Sequence, residues 1–141
     1  MLLEPGAALV REAGYLVATV RDLFESGGSQ VAVLDTSVNH APEVFEYQFA
    51  PEVVGHSPEH PHAYLLAGAT CLAGDLFGEY RFAAPLRIGS RVLFLEMGAY
   101  TLVKAHMFNG VNLPNLYTVA ESGEISLRRR FGYEDYRARV G

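Results

Sequence analysis

Residues 7–24 read AALVREAGYLVATVRDLF, and whether they form a helix or a strand decides the fold. Leu9, Ala13, Leu16, Val17, Val20 and Phe24 fall on one helical face. Gly14 interrupts that face, and YLVATV is rich in β-branched and aromatic residues, which suit a pleated surface. The reading adopted is a short helical turn near residues 7–12, then a strand at about 14–24. ESGGS follows as a turn and QVAVLDTSV as a second strand, so the pair predicts a β-hairpin.

Working outward, AYLLAGAT is a further strand. PLRIGSRVLFLEM carries two apolar runs around a Gly-Ser turn, and GAYTLVKAHMF is another apolar segment. NGVNLPN has turn chemistry, and LYTVAESGEISLRRRF closes with two strands around ESGE. Residues 38–62 hold Pro42, Pro51, Pro58 and Pro61 with four histidines, which predicts one long loop. The class is mainly β, and so many short strands call for a barrel or sandwich.

With 141 residues, half of them apolar and 19% charged, the chain builds one packed domain rather than a disordered one. A net charge of -5 without a basic face argues against nucleic-acid binding. No apolar run approaches the ~18 residues of a membrane span, and MLLEPGA lacks a signal peptide's basic start, so the expected location is cytoplasmic. The single cysteine, Cys71, excludes an internal disulfide. The single lysine, Lys104, leaves little choice for chemistry that needs an amine nucleophile.

In HSPEHPH, His56, His60 and His62 lack a partner set at ligand spacing, and no metal is expected. In GATCLAGD the thiol of Cys71 has two readings: a buried structural cysteine, or a thiol on a loop facing a site with Asp75 near it. Tyr100 follows a Gly-Ala that permits close approach, but on its local sequence alone it reads as a core tyrosine. At the start of the chain, Leu2 and Leu3 look like the end of a strand, and Glu4-Pro5-Gly6 like the turn after it.

Taken together, LEPG (3–6), HAPEVFE (40–46), AGATCLAGD (67–75), MGAYTLVKAHMFNG (97–110) and FGYEDYRAR (131–139) resemble, in order, the fold-type III pyridoxal-phosphate decarboxylases. The wording is most similar to the carboxynorspermidine (carboxyspermidine) decarboxylase branch. The resemblance implies an N-terminal (β/α)8 barrel that holds the cofactor on a lysine, a C-terminal β-barrel, and an active site at a homodimer interface. It covers only the end of the first domain and the second. Residues 1–13 are then a remnant of the cofactor barrel, and 14–141 the C-terminal β-barrel domain. Lys104 lies outside the region that carries the family's cofactor lysine. The chain alone is expected to be inactive unless a separate barrel polypeptide completes it, and Leu2, Leu3 and Leu9 are expected to be exposed.

Residue by residue, the resemblance implies that Glu4 faces the cofactor's pyridine nitrogen and keeps it protonated. It implies that Gly6 brings its backbone to the phosphate, where a bare N–H favours an anion. Tyr100 reaches the phosphate with its hydroxyl, and Cys71 enters the partner subunit's site near the protonated carbon. Asp75 is implied to act beside it and to take a substrate amine. Glu43 is implied to hold the polyamine-type substrate, with Glu46 assisting. Two departures bear on the substrate. Ala7 stands where the ornithine and diaminopimelate enzymes often have Arg and the carboxynorspermidine type often has Glu. Glu43 stands where Asp is more usual. The alternatives are an ornithine- or diaminopimelate-type specificity, or a non-catalytic β-barrel that binds and regulates a decarboxylase protomer.

Overall fold

Gly14 ends the helical reading of the opening stretch, and a second glycine explains why it stands there. In the computed structural model, which describes residues 2–141, helix α1 spans Gly6–Val10 and one 3-10 turn follows over Arg11–Ala13. Gly98 packs directly on this segment. A Cβ on Gly98 would lie 1.8 Å from the Val10 carbonyl oxygen, and one on Gly14 would lie 2.7 Å from the Gly98 backbone. The Met97 amide donates to the Gly14 carbonyl (2.8 Å) and the Gly98 amide to the Arg11 carbonyl (2.9 Å). The two glycines let main chain meet main chain, which turns the chain out of α1 and into the first strand. Residues 2–5 form no regular element, so Leu2 and Leu3 do not continue as a strand here. They are 99% and 70% exposed, and Leu9 is 82% exposed, as expected.

Strand β1 (Leu16–Ser26) buries Leu16, Ala18 and Val20 and exposes Val17, the two-residue period of a half-buried strand. The turn to β2 (Ser29–Leu34) is Gly27-Gly28, both at positive φ (58° and 82°). That is the two-residue loop a tight hairpin prefers. Strand β3 (His62–Ala67) runs parallel to β2, β4 (Leu76–Phe82) antiparallel to β3, and β5 (Arg91–Phe94) antiparallel to β1. The sheet order is β4-β3-β2-β1-β5.

The two edges of this sheet are stitched together by one short segment. The Val54 amide donates to Leu93 of β5 (3.0 Å), and the Leu95 amide to Glu52 (2.8 Å). Three residues on, the Ser57 amide donates to Arg81 of β4 (3.2 Å), and the Arg81 amide to His56 Nδ1 (3.0 Å). Residues 52–57 thus bridge both edges, and the sheet curls into a half-barrel. Its interior holds Val20, Leu34, Leu66, Phe77, Val92 and Phe94, all at most 2% exposed. The Phe77 and Phe94 rings stack with centroids 4.6 Å apart. Tyr80 is buried among them and donates its hydroxyl to the Pro51 carbonyl (2.7 Å), which satisfies its polar end.

The long loop expected over 38–62 contains helix α2, Pro42–Tyr47. Pro42 stands in the first turn, where its missing N–H costs nothing, with Glu43 beside it. Gln48 closes the helix in a left-handed conformation. The apolar segment near 101 is also helical: α3 spans Thr101–Lys104. Of the two apolar runs around Gly89-Ser90, only the second is a strand, whereas LFGEYRF supplies β4. The closing strands are β6 (Leu116–Val119) and β7 (Ile125–Arg129), a separate antiparallel ribbon. Helix α4 (Tyr133–Val140) follows it. Asp135 accepts from the Gly132 amide (2.9 Å) and from Arg129 (3.0 Å), and these bonds hold its carboxyl below the usual range and fix the helix start. Among the described residues, no helix is long and apolar enough to cross a membrane.

Candidate active site

The sequence motifs converge because helices α2 and α3 lie side by side. Glu43 and Glu46 are one helical turn apart on α2, and Thr101 and Lys104 one turn apart on α3. Thr101 donates its hydroxyl to Glu43 (3.4 Å), and the Lys104 ammonium pairs with the Glu46 carboxylate. Both pairs are separated by 58 residues, so the helices run parallel in a two-rung ladder. Lys104 also sits over the Tyr47 ring, 5.2 Å from its centroid. Glu46, followed by the Tyr47 and Glu43 fields, raises its pKa. It therefore stays an ammonium and offers no free amine.

A cleft of about 280 Å3 opens beside the ladder, where α1 and the start of α3 approach α2. Ala7, Arg11, Glu43, Tyr47, Glu52 and Tyr100 are among the residues that line it. Arg11 pairs with Glu96 (3.4 Å) at its edge. Tyr100 is 60% exposed and adopts φ 59°, ψ -28°. An aromatic residue in that region is strained by about 1–3 kcal/mol and is retained where the surroundings impose it. Here the Lys104 amide, donating to the Tyr100 carbonyl (2.8 Å), and the buried Thr101 beside it impose it. Tyr100 is thus a cleft-rim residue and not a core one.

Glu4 is exposed and precedes this cleft by three residues. The resemblance implies a bare Gly6 N–H; here that amide donates to the Glu4 carbonyl at 2.9 Å. The space beside Gly6 is open, with no atom within 4 Å of where a Cβ would stand. The residues present fit a phosphorylated cofactor in these respects: a rim tyrosine and an arginine line the cleft, and an open glycine immediately precedes the lining residue Ala7.

Cys71 is exposed, so the buried-thiol reading does not hold. Asn109 donates its side-chain amide to Sγ at 2.8 Å. Asn109 was not singled out in the sequence, although Asn-Gly marks a residue ready for positive φ, and here it has φ 62°. Asp75, expected beside Cys71 with a substrate amine, does not share the surface with it. It is 5% exposed, and its oxygens accept from the Val38 amide (2.8 Å), the Thr70 amide (3.0 Å) and the Thr70 hydroxyl. A buried carboxylate that takes three donors positions the loop. Gly68 is needed for this, because a Cβ there would lie 2.1 Å from the Asp75 carboxylate.

His40 escaped the sequence reading, since a histidine in a proline-rich stretch suggests exposure. It is 2% exposed, with Nδ1 bonded to the Thr36 hydroxyl (2.9 Å). Burial pushes its pKa down to about 4, against the opposing pull of Asp75. Among the loop histidines, His56 is occupied by the β4 edge and His62 lies within β3.

Residues 8–98 match the family of the pyridoxal-dependent decarboxylase C-terminal sheet domain. The chain belongs to this family. A carboxyaminopropylagmatine decarboxylase from Synechocystis is 44% identical over all of the chain and 37% of its own length. A carboxynorspermidine/carboxyspermidine decarboxylase from Campylobacter jejuni is 40% identical over 97% of the chain and 39% of its own length. The crystal structure of carboxynorspermidine decarboxylase complexed with norspermidine, from the same organism, superposes with a TM-score of 0.86 at 39% identity. It covers 91% of the chain and 38% of that protein. The chain thus spans under two-fifths of the length of these decarboxylases, and corresponds to their C-terminal portion.

Proposed function

We propose that this chain is the C-terminal part of a pyridoxal-dependent carboxy-lyase whose substrate is a carboxylated aminopropyl polyamine, carboxynorspermidine or carboxyspermidine. The observation that carries the reading is the meeting of Ala7, Glu43 and Tyr100 in one cleft, three motifs that are far apart in sequence. Relatives at 40% and 44% identity bear names with such substrates, which supports it.

The cofactor, when bound, supplies an electron sink for the pair left by the departing carboxylate. The chain's own residues surround that chemistry. Glu4 is the acid that would hold the ring nitrogen protonated. Gly6, Tyr100 and Arg11 would take the phosphate, the last two as donors. Glu43, held by Thr101, presents a carboxylate to a substrate ammonium. Cys71, exposed and oriented by Asn109, would stand at the dimer interface in the partner subunit's site. Asp75 keeps that loop rigid from beneath. In this reading the complete enzyme is a cytoplasmic homodimer, and residues 1–13 close the cofactor domain.

Ala7 favours a second substrate within the class. It lines the cleft, and a short apolar residue there leaves room for a bulkier, guanidine-ended substrate such as that named for the Synechocystis relative. The test is CO2 release by this chain combined with a pyridoxal-binding barrel polypeptide. Carboxynorspermidine, carboxyaminopropylagmatine, diaminopimelate and ornithine are compared. Turnover of a carboxylated polyamine, dependent on both polypeptides, is expected. Preference for diaminopimelate or ornithine, or full turnover by this chain alone, would overturn the proposal.

A further inference from the structure

Lys104 is the one lysine of the chain, and it occupies a seat that suits an amine ligand. Its ammonium rests on the Glu46 carboxylate and over the face of Tyr47. A carboxylate and an aromatic face are what a primary ammonium prefers as partners. Tyr47 also lines the cleft that holds Glu43, Glu52 and Tyr100, whereas Glu46 lines a neighbouring hollow with Phe45 and His106. Within the ladder, Glu43 takes only a long hydroxyl contact, whereas Glu46 is neutralised by an ion pair. The two acids therefore differ in charge balance although they lie one turn apart.

We propose that Lys104 is a specificity residue that acts as an internal ammonium. It fills the Glu46–Tyr47 seat, which borders the cleft at Tyr47, so Glu43, which lines the cleft itself, is left as the α2 acid open to a ligand's ammonium. The inference rests on the polyamine reading of the cleft and adds to it how many ammonium groups α2 accepts. It also explains why Glu46, expected to assist with the substrate, is not free to do so. A ligand that brings one more ammonium gains nothing from Glu46 while Lys104 is in place.

The test is a titration of the intact chain with norspermidine, a triamine, and with 1,3-diaminopropane, followed by amide NMR shifts. Lys104→Met is expected to tighten norspermidine by about tenfold, the size of one recovered charge-assisted contact, and the diamine by less than about threefold. The gain is expected to vanish in the Lys104→Met, Glu46→Gln double variant, whereas Lys104→Arg keeps the original affinity. Arg137→Met, the same charge change on α4, is expected to give no triamine preference. Weaker or unchanged norspermidine binding in Lys104→Met, with the parent chain still binding, would overturn the inference alone. A gain that survives Glu46→Gln would do the same. If neither chain binds a polyamine, both the inference and the polyamine reading of the cleft fall.

Discussion

Asp75 accepts a hydrogen bond from the amide of Val38, 37 residues earlier in the chain, at 2.8 Å. The same carboxylate takes the Thr70 amide at 3.0 Å. One buried side chain thus fixes both the loop that presents Cys71 and the turn that carries Asn39 and His40. The position of the thiol is inherited from the core of the half-barrel rather than set by its own flexible surroundings.

Asp75→Asn places a donor where donors already converge. It is expected to destabilise the chain by about 2–4 kcal/mol, the cost of leaving buried amides unmatched. Urea denaturation measures this. Cys71 is expected to react several-fold faster with a thiol reagent in the variant, because its loop opens more often. A loss below about 1 kcal/mol with unchanged labelling would remove the positioning role.

His40 gives a defined pH dependence. Its pKa is about 4 in the folded chain against 6.5 when free, so between these values the unfolded chain binds the extra proton. Stability therefore rises with pH through this window and is lost as pH falls from about 6.5 toward 4, by about 3 kcal/mol in full. Melting the chain and His40→Gln at pH 7 and pH 4.5 tests it. The variant is expected to start less stable at pH 7 and to lose distinctly less on acidification. Parallel losses in both chains would contradict the assignment.

Gly98→Ala tests the contact that turns α1 into β1. The added methyl meets the Val10 carbonyl oxygen, with no flexible side chain to move aside. The expected cost is about 1–3 kcal/mol. Gly6→Ala, built into open space, is expected to stay within about 0.5 kcal/mol. Equal effects at the two positions would mean that the 14–98 packing does not hold the N-terminal segment.

Much of the half-barrel was legible because its strands alternate over short runs and its turns use Gly-Gly and Gly-Ser. Glu43 and Tyr100 could be picked out by motif, and the structure puts them in one cleft. What escaped reading depends on contacts far apart in sequence. Four prolines concealed α2, since Pro42 at a helix start looks locally like Pro51 in a loop. Asp75 reads as a surface acid until Val38 and Thr70 are seen to bury it. His40 and Asn109 carry no local pattern that reveals which groups surround them, and the Glu46–Lys104 pair depends on two short helices meeting.

The ribbon of β6 and β7 shows the opposite case, a pair read correctly from sequence but left uncovered. Every position of both strands is exposed, including Val119 at 65% and Ile125 at 67%. A two-stranded ribbon without a packed face has little stability of its own. Amides of β6 and β7 are expected to exchange at least about 100-fold faster than those of β1 and β2 in the isolated chain. Comparable protection in both would show that the ribbon has a covering the fold does not provide.

The most direct test of the central claim is an amide NMR titration of the chain with norspermidine, run beside Glu43→Gln. Shifts concentrated at Glu43, Tyr47, Tyr100 and Thr101, with affinity at least about fivefold weaker in the variant, are the predicted result. Shifts centred elsewhere, or an affinity untouched by Glu43→Gln, would contradict the assignment of this cleft to a polyamine.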